Sequence, residues 1–367
     1  MLLYSTLGQC VQKSIHNTSK YNSCIYTTRG YSKLGAEKVK SKPGSNYSFG
    51  KAIGILGVGG VAATLVYYLN TQNFFGSKNK NENILNPFNF NIFELIQKEG
   101  LTSDTFRFRF KLAESNNQKQ NELVHKIMKS GVWSVDVKDH YVQTFRSYTP
   151  IACSLDKQLF GDKNSVETGD FFEIVVKRYP NGSVSKFIHD LFLGEKVEIR
   201  GPNITFPYFL SPKNSISMVA GGTGIAPMYQ LIKKILSEQT NHYPKITLFY
   251  GSKTNSDILL YNELVDLSNK YPETLKVYFF TDNGNDIPLN SNNTKFEMSP
   301  HINHGYISKI FIESVFPKPD NTNIVLVSGP PGMMKQVCGL KASDDSQGNL
   351  QGMLLDLGYK ENMVFKL

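Results

Sequence analysis

The chain has 367 residues, enough for two folded domains and additional segments. Its formal charge of +9 suggests an anionic partner such as a nucleic acid, but eight of the 40 basic residues and only one of the 31 acidic residues precede residue 71. The remaining 32 basic and 30 acidic residues give +2, so nucleic-acid binding loses its main support and no such partner is expected.

The first 36 residues have the composition of a mitochondrial transit peptide. They contain no Asp or Glu, four basic residues and nine Ser or Thr, and the run beginning at Arg29 suits a processing site. A disordered tail without acids is the alternative. We predict a transit peptide over residues 1–36.

The next segment, "AIGILGVGGVAATLVYYL", is predicted to cross a membrane once. It covers residues 52–69 without a charge, and eighteen helical residues reach roughly 27 Å. Basic residues before the span favour an inner-membrane orientation that places the body in the intermembrane space. An outer-membrane anchor facing the cytosol is the alternative. The polar residues 70–87 are predicted to be a linker.

Residues 88–212 are predicted to form an antiparallel β-barrel or sandwich. Alternating or apolar runs such as "TFRFRFKL", "GVWSVDVK", "DFFEIVVKRY" and "EKVEIRGP" are typical of strands separated by turns. One short helix is expected at "SKFIHDLF", and "NNQKQNE" is predicted to be a loop tip.

Residues 213–367 are predicted to form an α/β domain with a parallel sheet. The strand-like runs "SISMVA", "KITLFYGS", "LKVYFFT" and "NIVLVSG" alternate with helix-like segments. A long polar insertion is expected before "YISKIF". The boundary between the domains is predicted near residues 210–214, with a cleft between the two.

Cysteine and histidine patterns give no metal site. Of the four cysteines only Cys153 and Cys338 fall in the body, and the seven histidines show no metal-ligand spacing. No metal is predicted.

A glycine-rich turn, "GGTGIAP" at residues 221–227, lies between a predicted strand and a predicted helix. Its glycines permit close approach of a ligand, and the helix start offers free N–H groups and partial positive charge. No Lys follows the glycines as a Walker loop requires, and GxGxxG fits only with Pro227 in the last position. The pattern alone supports a purely structural turn and a ligand-binding site equally.

Two further motifs lie in the predicted barrel. In "RSYTP", residues 146–150, Arg146 and Tyr148 share one face of a strand, although an ordinary edge strand would look similar. In "NGSVS", residues 181–185, a turn leads into a helix whose predicted N-cap is Ser185.

Together these motifs resemble the ferredoxin reductase-like flavoenzymes, and within them the NADH-cytochrome b5 reductases. The family's RxY[TS]P, GxxS, GGTGxxP and GPP motifs occur in order, at residues 146–150, 182–185, 221–227 and 329–331. The resemblance runs from about Phe88 to Leu367. The C-terminal segment looks most like the membrane-anchored mitochondrial members.

The resemblance implies how the barrel would hold FAD. Arg146 would pair with the FAD pyrophosphate, Tyr148 would pack against the isoalloxazine, and Thr149 would bond near its reactive edge. The other implied FAD-binding residues are Pro150, Gly182, Val184 and Ser185.

The resemblance also implies an NADH site on the second domain. Its residues would be Gly221, Gly222, Thr223, Gly224, Gly329 and Pro330, with Thr149, Thr223 and Ser328 as the catalytic candidates. Ser328 stands where relatives usually carry Cys, so slower hydride transfer is expected. Asp257 either faces the adenosine ribose and selects NADH or caps a helix, and Lys177 either helps to hold NADH or is a solvated strand residue.

The resemblance therefore implies an FAD-dependent NADH oxidoreductase that takes a hydride from NADH and passes single electrons to cytochrome b5 or a similar haem protein. The same chemistry with a quinone or ferric acceptor is one alternative. A membrane-tethered flavin-binding module with little turnover is another.

Overall fold

The computed structural model describes residues 82–155, 170–208, 213–238, 243–282 and 302–367. The predicted transit peptide, the predicted membrane span and most of the predicted linker lie outside these ranges. In the described ranges no helix is both long and apolar enough for a membrane crossing. The sheets described below belong to one compact unit, Ser77–Leu367.

The first domain is built on a seven-stranded antiparallel sheet, as predicted. Its order is β4-β3-β7-β1-β2-β6-β5. β4 and β5 stand at the two ends of this order, yet only Thr149 separates them in the chain. The two ends of the sheet are therefore adjacent, and the sheet closes into a barrel. The strands are β1 (Asn91–Gly100), β2 (Thr105–Lys111), β3 (Val132–Asp139), β4 (Thr144–Tyr148), β5 (Pro150–Cys153), β6 (Phe171–Lys177) and β7 (Lys196–Phe206).

Among the residues that the structure describes, two helices accompany the barrel, α1 (Gln118–Ser130) and α2 (Ser183–Asp190). The prediction of a loop tip at "NNQKQNE" is wrong, because that run begins α1. The Asn117 side chain accepts hydrogen bonds from the N–H groups of Lys119 and Gln120, and so caps the helix. The apolar face of α1 then packs into the barrel core through Val124 and Met128.

The predicted linker ends earlier than Pro87. Leu85 is 2% exposed and belongs to the barrel core. Its carbonyl accepts a bond of 2.9 Å from the Gln120 side chain, and Glu82 forms a bridge with Ile92 of β1. Residues 82–87 are therefore part of the barrel domain.

The second domain is a six-stranded parallel sheet, which confirms the predicted α/β domain. Its order is β11-β10-β9-β8-β12-β13. The strands are β8 (Ser215–Gly221), β9 (Lys245–Ser252), β10 (Leu275–Thr281), β11 (Ile302–His304), β12 (Asn323–Ser328) and β13 (Val364–Lys366). The helices are α3 (Ile225–Ser237), α4 (Tyr261–Lys270), α5 (Lys309–Val315), α6 (Pro331–Val337) and α7 (Gly352–Asp356), with 3₁₀ turns at Gly222–Gly224, Asn255–Asp257 and Glu361–Met363.

The two domains meet along α3. The barrel ends at Phe206 and the parallel sheet begins at Ser215, which brackets the predicted boundary. Apolar side chains of α3 share a buried cluster with barrel residues Ile151 and Val175. Burial of a shared apolar surface stabilises the arrangement of the two domains.

Candidate functional site

The parallel sheet changes direction between β8 and β12. From β8 the chain proceeds outward through β9 and β10, then returns to place β12 on the other side of β8. In open parallel sheets ligands bind beyond the carboxyl ends of the strands at such a point. Here those ends carry the 221–224 glycine turn and the 328–330 turn.

The two turns pack backbone to backbone. A Cβ atom on Gly224 would overlap the Ser328 carbonyl, and one on Gly221 would lie 2.8 Å from Pro330 Cδ. The nearest heavy atoms to a Cβ on Gly329 include Gly221 N, at 3.1 Å. Side chains at these three positions would separate the turns, so glycine is required for their close approach. The structure thus brings together the predicted site residues of both turns.

Gly222 differs from the other glycines of the turn. Its φ of +52° favours glycine, and a Cβ there would meet no atom within 4 Å. Thr223 beside it is half-buried. The free space beside the half-buried Gly222 leaves room for a ligand next to the turn.

A buried tyrosine, which the sequence analysis missed, supports this turn. The hydroxyl of Tyr250 in β9 donates to the Gly222 carbonyl at 3.1 Å and accepts from the Leu259 N–H at 3.2 Å. Burial raises the pKa of Tyr250, so the hydroxyl keeps its proton at physiological pH. One side chain therefore fixes both the glycine turn and the loop that carries Asp257.

Replacing Tyr250 by Phe is expected to destabilise this edge of the sheet. The Gly222 carbonyl and the Leu259 N–H would each lose a partner, at a cost of about 1–3 kcal/mol. Thermal unfolding and NAD⁺ titration of the variant measure the effect. Tyr306→Phe, at a tyrosine that is 74% exposed, is the control; equal losses in both variants would remove the supporting role assigned to Tyr250.

The 146–150 segment ends β4 and begins β5. Arg146 is exposed, and its guanidinium donates to the Phe145 carbonyl at 2.8 Å and to the Thr144 hydroxyl at 3.4 Å. Tyr148 is half-buried against the barrel core, and burial raises the pKa of its hydroxyl. An exposed guanidinium beside a partly exposed ring fits a ligand with a phosphate and an aromatic system.

A buried ion pair lies beneath this strand. Asp136 accepts two bonds from Arg200, the shorter of 2.6 Å, and one of 3.0 Å from Asn203. Its other oxygen accepts a bond of 2.6 Å from Ser147, the residue between Arg146 and Tyr148. The Arg200 guanidinium also lies over the rings of Phe90 and Phe145. The network anchors the middle of the motif to the barrel.

The helix start near residue 182 is arranged differently from the prediction. The N-cap of α2 is Gly182, whereas Ser185 lies in the first turn and is 6% exposed. The Ser185 hydroxyl donates to the Gly182 carbonyl and accepts from the Tyr179 N–H, so it braces the turn internally. Backbone N–H groups of the first helical turn, including that of Val184, have no intrahelical acceptor and fit an anion.

Lys177 and Asp257 had two interpretations each. Lys177 ends β6 and pairs with Asp104 at 2.8 Å; its two interpretations, as a residue that helps to hold NADH or as a solvated strand residue, stay predictions. Asp257 ends a 3₁₀ turn and accepts from the Thr254 hydroxyl at 2.9 Å, while Leu260 is the N-cap of α4. The capping interpretation of Asp257 is therefore wrong.

The fold and these turns define the class of protein: an oxidoreductase with an FAD-binding domain and an NAD-binding domain. Two family models match, the oxidoreductase FAD-binding domain over residues 92–208 and the oxidoreductase NAD-binding domain over residues 218–339. The solved cytochrome b5 reductase domain of Ulva prolifera nitrate reductase has a similar fold, with a TM-score of 0.55 and 24% identity, covering 77% of this chain and 99% of that one.

Relatives found by sequence narrow this class to one family. NADH-cytochrome b5 reductase 2 of Coccidioides immitis is 34% identical over 269 residues, which cover 73% of this chain and 74% of the relative. The protein of the same name from Aspergillus terreus is 35% identical over 278 residues, 74% of this chain and 76% of the relative. The chain belongs to the NADH-cytochrome b5 reductase family, as its motifs predicted.

Proposed function

We propose that this chain takes a hydride from NADH onto bound FAD and delivers electrons singly to cytochrome b5 or a related haem protein. The observation that carries the proposal is the pairing of an exposed flavin-type strand, 146–150, with an open glycine turn at the switch point of the parallel sheet. FAD supplies the conversion between two-electron and one-electron transfer. The protein supplies binding and alignment.

On the barrel, one group of residues would bind the diphosphate of FAD and a second group would contact the flavin ring. Arg146 would hold the diphosphate through charge-assisted bonds, together with the N–H groups of the first turn of α2. Tyr148, Thr149 and Pro150 would form the wall for the flavin ring. The half-buried position of Tyr148 supports this role, because a ring with one packed face is already oriented for stacking.

On the second domain, Gly222 and Thr223 would border the nicotinamide, with Ser328 on the opposing turn. Ser328 is 9% exposed, and its carbonyl lies against Gly224. Its hydroxyl replaces the thiol expected from relatives, and we propose that hydride transfer persists at a lower rate. Replacement of Ser328 by Cys would then raise the rate of flavin reduction.

The identity of the acceptor is tested by steady-state assays of the purified full chain. With NADH as donor, cytochrome b5 should be reduced with a higher kcat/KM than a quinone or a ferric complex. Preference for either of those acceptors would favour the alternative enzyme. Flavin that is reduced by NADH but reoxidised by none of the three would favour a binding module with little turnover.

We further propose that Asp257 selects NADH, since a carboxylate disfavours the 2′-phosphate of NADPH. Its location at the carboxyl edge of the sheet, beyond β9, supports this. Asp257→Thr is expected to shift the ratio of kcat/KM for NADH over NADPH by at least about tenfold toward NADPH, because a like-charge contact is removed. An unchanged ratio would contradict the assignment. Asp266→Thr, in α4, is the control.

We also propose that residues 1–36 direct the chain to mitochondria and that residues 52–69 anchor it by a single span. The acid-free composition and the uncharged apolar run support this. Fractionation with protease protection distinguishes an inner-membrane protein facing the intermembrane space from an outer-membrane protein facing the cytosol. Recovery in a non-mitochondrial fraction would contradict the proposal.

A further inference from the structure

One buried glutamine joins the two motif-bearing segments across the domain boundary. Gln230 lies in α3, the helix that begins directly after the glycine turn, and is 1% exposed. Its Oε1 accepts from the Trp133 N–H at 2.8 Å. Its Nε2 donates to the Pro150 carbonyl at 2.9 Å and to the Trp133 carbonyl at 3.2 Å. Both donors of the carboxamide are therefore used, and all three partners belong to the barrel.

The hydrogen bonds of Gln230 connect the proposed NADH site to the proposed FAD site. Pro150 follows Tyr148 and Thr149, so its carbonyl marks the end of the proposed flavin wall. Gln230 lies six residues beyond Gly224, less than two turns along α3, so the same helix carries both the glycine turn and the carboxamide. The 222–224 turn also makes contact with β6 of the barrel. The carboxamide thus fixes where the glycine turn stands relative to the 148–150 segment.

Other polar contacts cross the boundary at different places. Lys234 donates to the Met128 carbonyl in α1 at 3.4 Å, and Arg107 in β2 pairs with Glu263 in α4 at 3.1 Å. On the barrel side these contacts reach α1 and β2, which carry none of the motifs. Gln230 instead bonds the stretch that carries the flavin motif.

We propose that Gln230 is a positioning residue for hydride transfer, an inference that rests on the proposed function. Its carboxamide holds the nicotinamide turn in register with the flavin wall. Hydride transfer depends steeply on the alignment of donor and acceptor, and a misplacement of about 1 Å lowers a rate by on the order of 100-fold. In this proposal FAD binds through contacts within the barrel, and NADH binds through contacts within the parallel-sheet domain. The affinity for either cofactor is therefore less sensitive to how the two domains are aligned.

The test compares Gln230→Met with wild-type holoprotein in stopped-flow flavin reduction over a range of NADH concentrations. Methionine has a similar length and volume but offers no amide. The limiting rate of flavin reduction is expected to fall about 10- to 100-fold, with an increased isotope effect for NADH deuterated at the transferred hydrogen. FAD content and the Kd for NADH should stay within about twofold, since their contacts are local.

Lys234→Met is the matched control, because it removes a boundary contact from the same helix. Its limiting rate per bound flavin should stay near that of wild type. If Gln230→Met does not fold, Gln230→Asn carries the test: it keeps the carboxamide but is too short to reach Trp133 and Pro150 together. Gln230→Asn should also lower the limiting rate of flavin reduction.

A limiting rate per bound flavin equal to that of wild type in the Gln230 variants would overturn the positioning role. Loss of thermal stability alone, with that rate unchanged, would assign Gln230 to structure only. Failure of NADH to reduce the wild-type protein would instead refute the proposed function, so the two failures are distinguishable.

Discussion

Replacing Arg146 by Ala is expected to release FAD from the purified protein. The guanidinium is exposed on β4 and available for charge-assisted bonds to a diphosphate. Loss of such bonds costs about 1.5–3 kcal/mol, roughly 10- to 150-fold in the Kd for FAD. Flavin absorbance per mole of protein after extensive dialysis, and FAD titration of the apoprotein, measure the change.

Lys196→Ala provides the control for this experiment. Lys196 is an exposed cation of the same barrel and pairs with Glu82 at 2.7 Å, so its removal changes the net charge equally. Its FAD content should match that of wild type. Unchanged retention of FAD in Arg146→Ala would remove the assigned role of Arg146, and equal losses in both variants would indicate a general electrostatic effect.

Replacing Asp136 by Ala is expected to cause the largest loss of stability. Arg200 is 5% exposed and would remain buried without the carboxylate that accepts two of its bonds. Breaking a buried pair in this way costs about 3–5 kcal/mol. Denaturant unfolding followed by the fluorescence of Trp133, the single tryptophan, reports on β3, the strand that also carries Asp136.

Asp104→Ala is the comparison for a more exposed pair. Asp104 pairs with Lys177 at 2.8 Å near the surface, and such pairs contribute roughly 0–1 kcal/mol. The free energy of unfolding should therefore fall much less than in Asp136→Ala. Similar losses in the two variants would contradict the stabilising role assigned to the buried network.

Periodicity and turn residues predicted most of the strands. The alternation of "TFRFRFKL" corresponds to β2, and the apolar run "NIVLVSG" corresponds to β12. These patterns are local and follow directly from the repeat of a half-buried or fully buried strand. The four motifs, in their order along the chain, then predicted the family. Each motif lies within one turn or one strand end, so it can be recognised in a short stretch of sequence.

Where the prediction failed, a local signal was weak or ambiguous. The start of α1 is Asn-rich and polar, and its helical character depends on capping by Asn117 and on packing of Val124 and Met128 in the barrel. Residues 82–87 look like a polar linker because two of their three buried residues, Asn86 and Pro87, are types common in loops, and only Leu85 is a buried aliphatic residue. At α2, serine was assigned the cap that glycine supplies.

The residues that support the site could not be predicted because their partners are distant in sequence. Gln230 bonds a residue 97 positions away, and Asp136 pairs with one 64 positions away. Tyr250 and Gly222 are 28 positions apart. Composition and spacing carry no information on such pairs, which depend on the register of the sheets and on the meeting of two domains.

The central claim is that this chain binds FAD and that NADH reduces it for transfer to a haem acceptor. The most direct measurement is anaerobic absorption spectroscopy of the purified full-length protein, with NADH added first and oxidised cytochrome b5 second. We expect a yellow protein whose flavin absorbance is bleached by NADH and recovers as the cytochrome is reduced. A colourless protein, or a flavin that NADH does not bleach, would contradict the account.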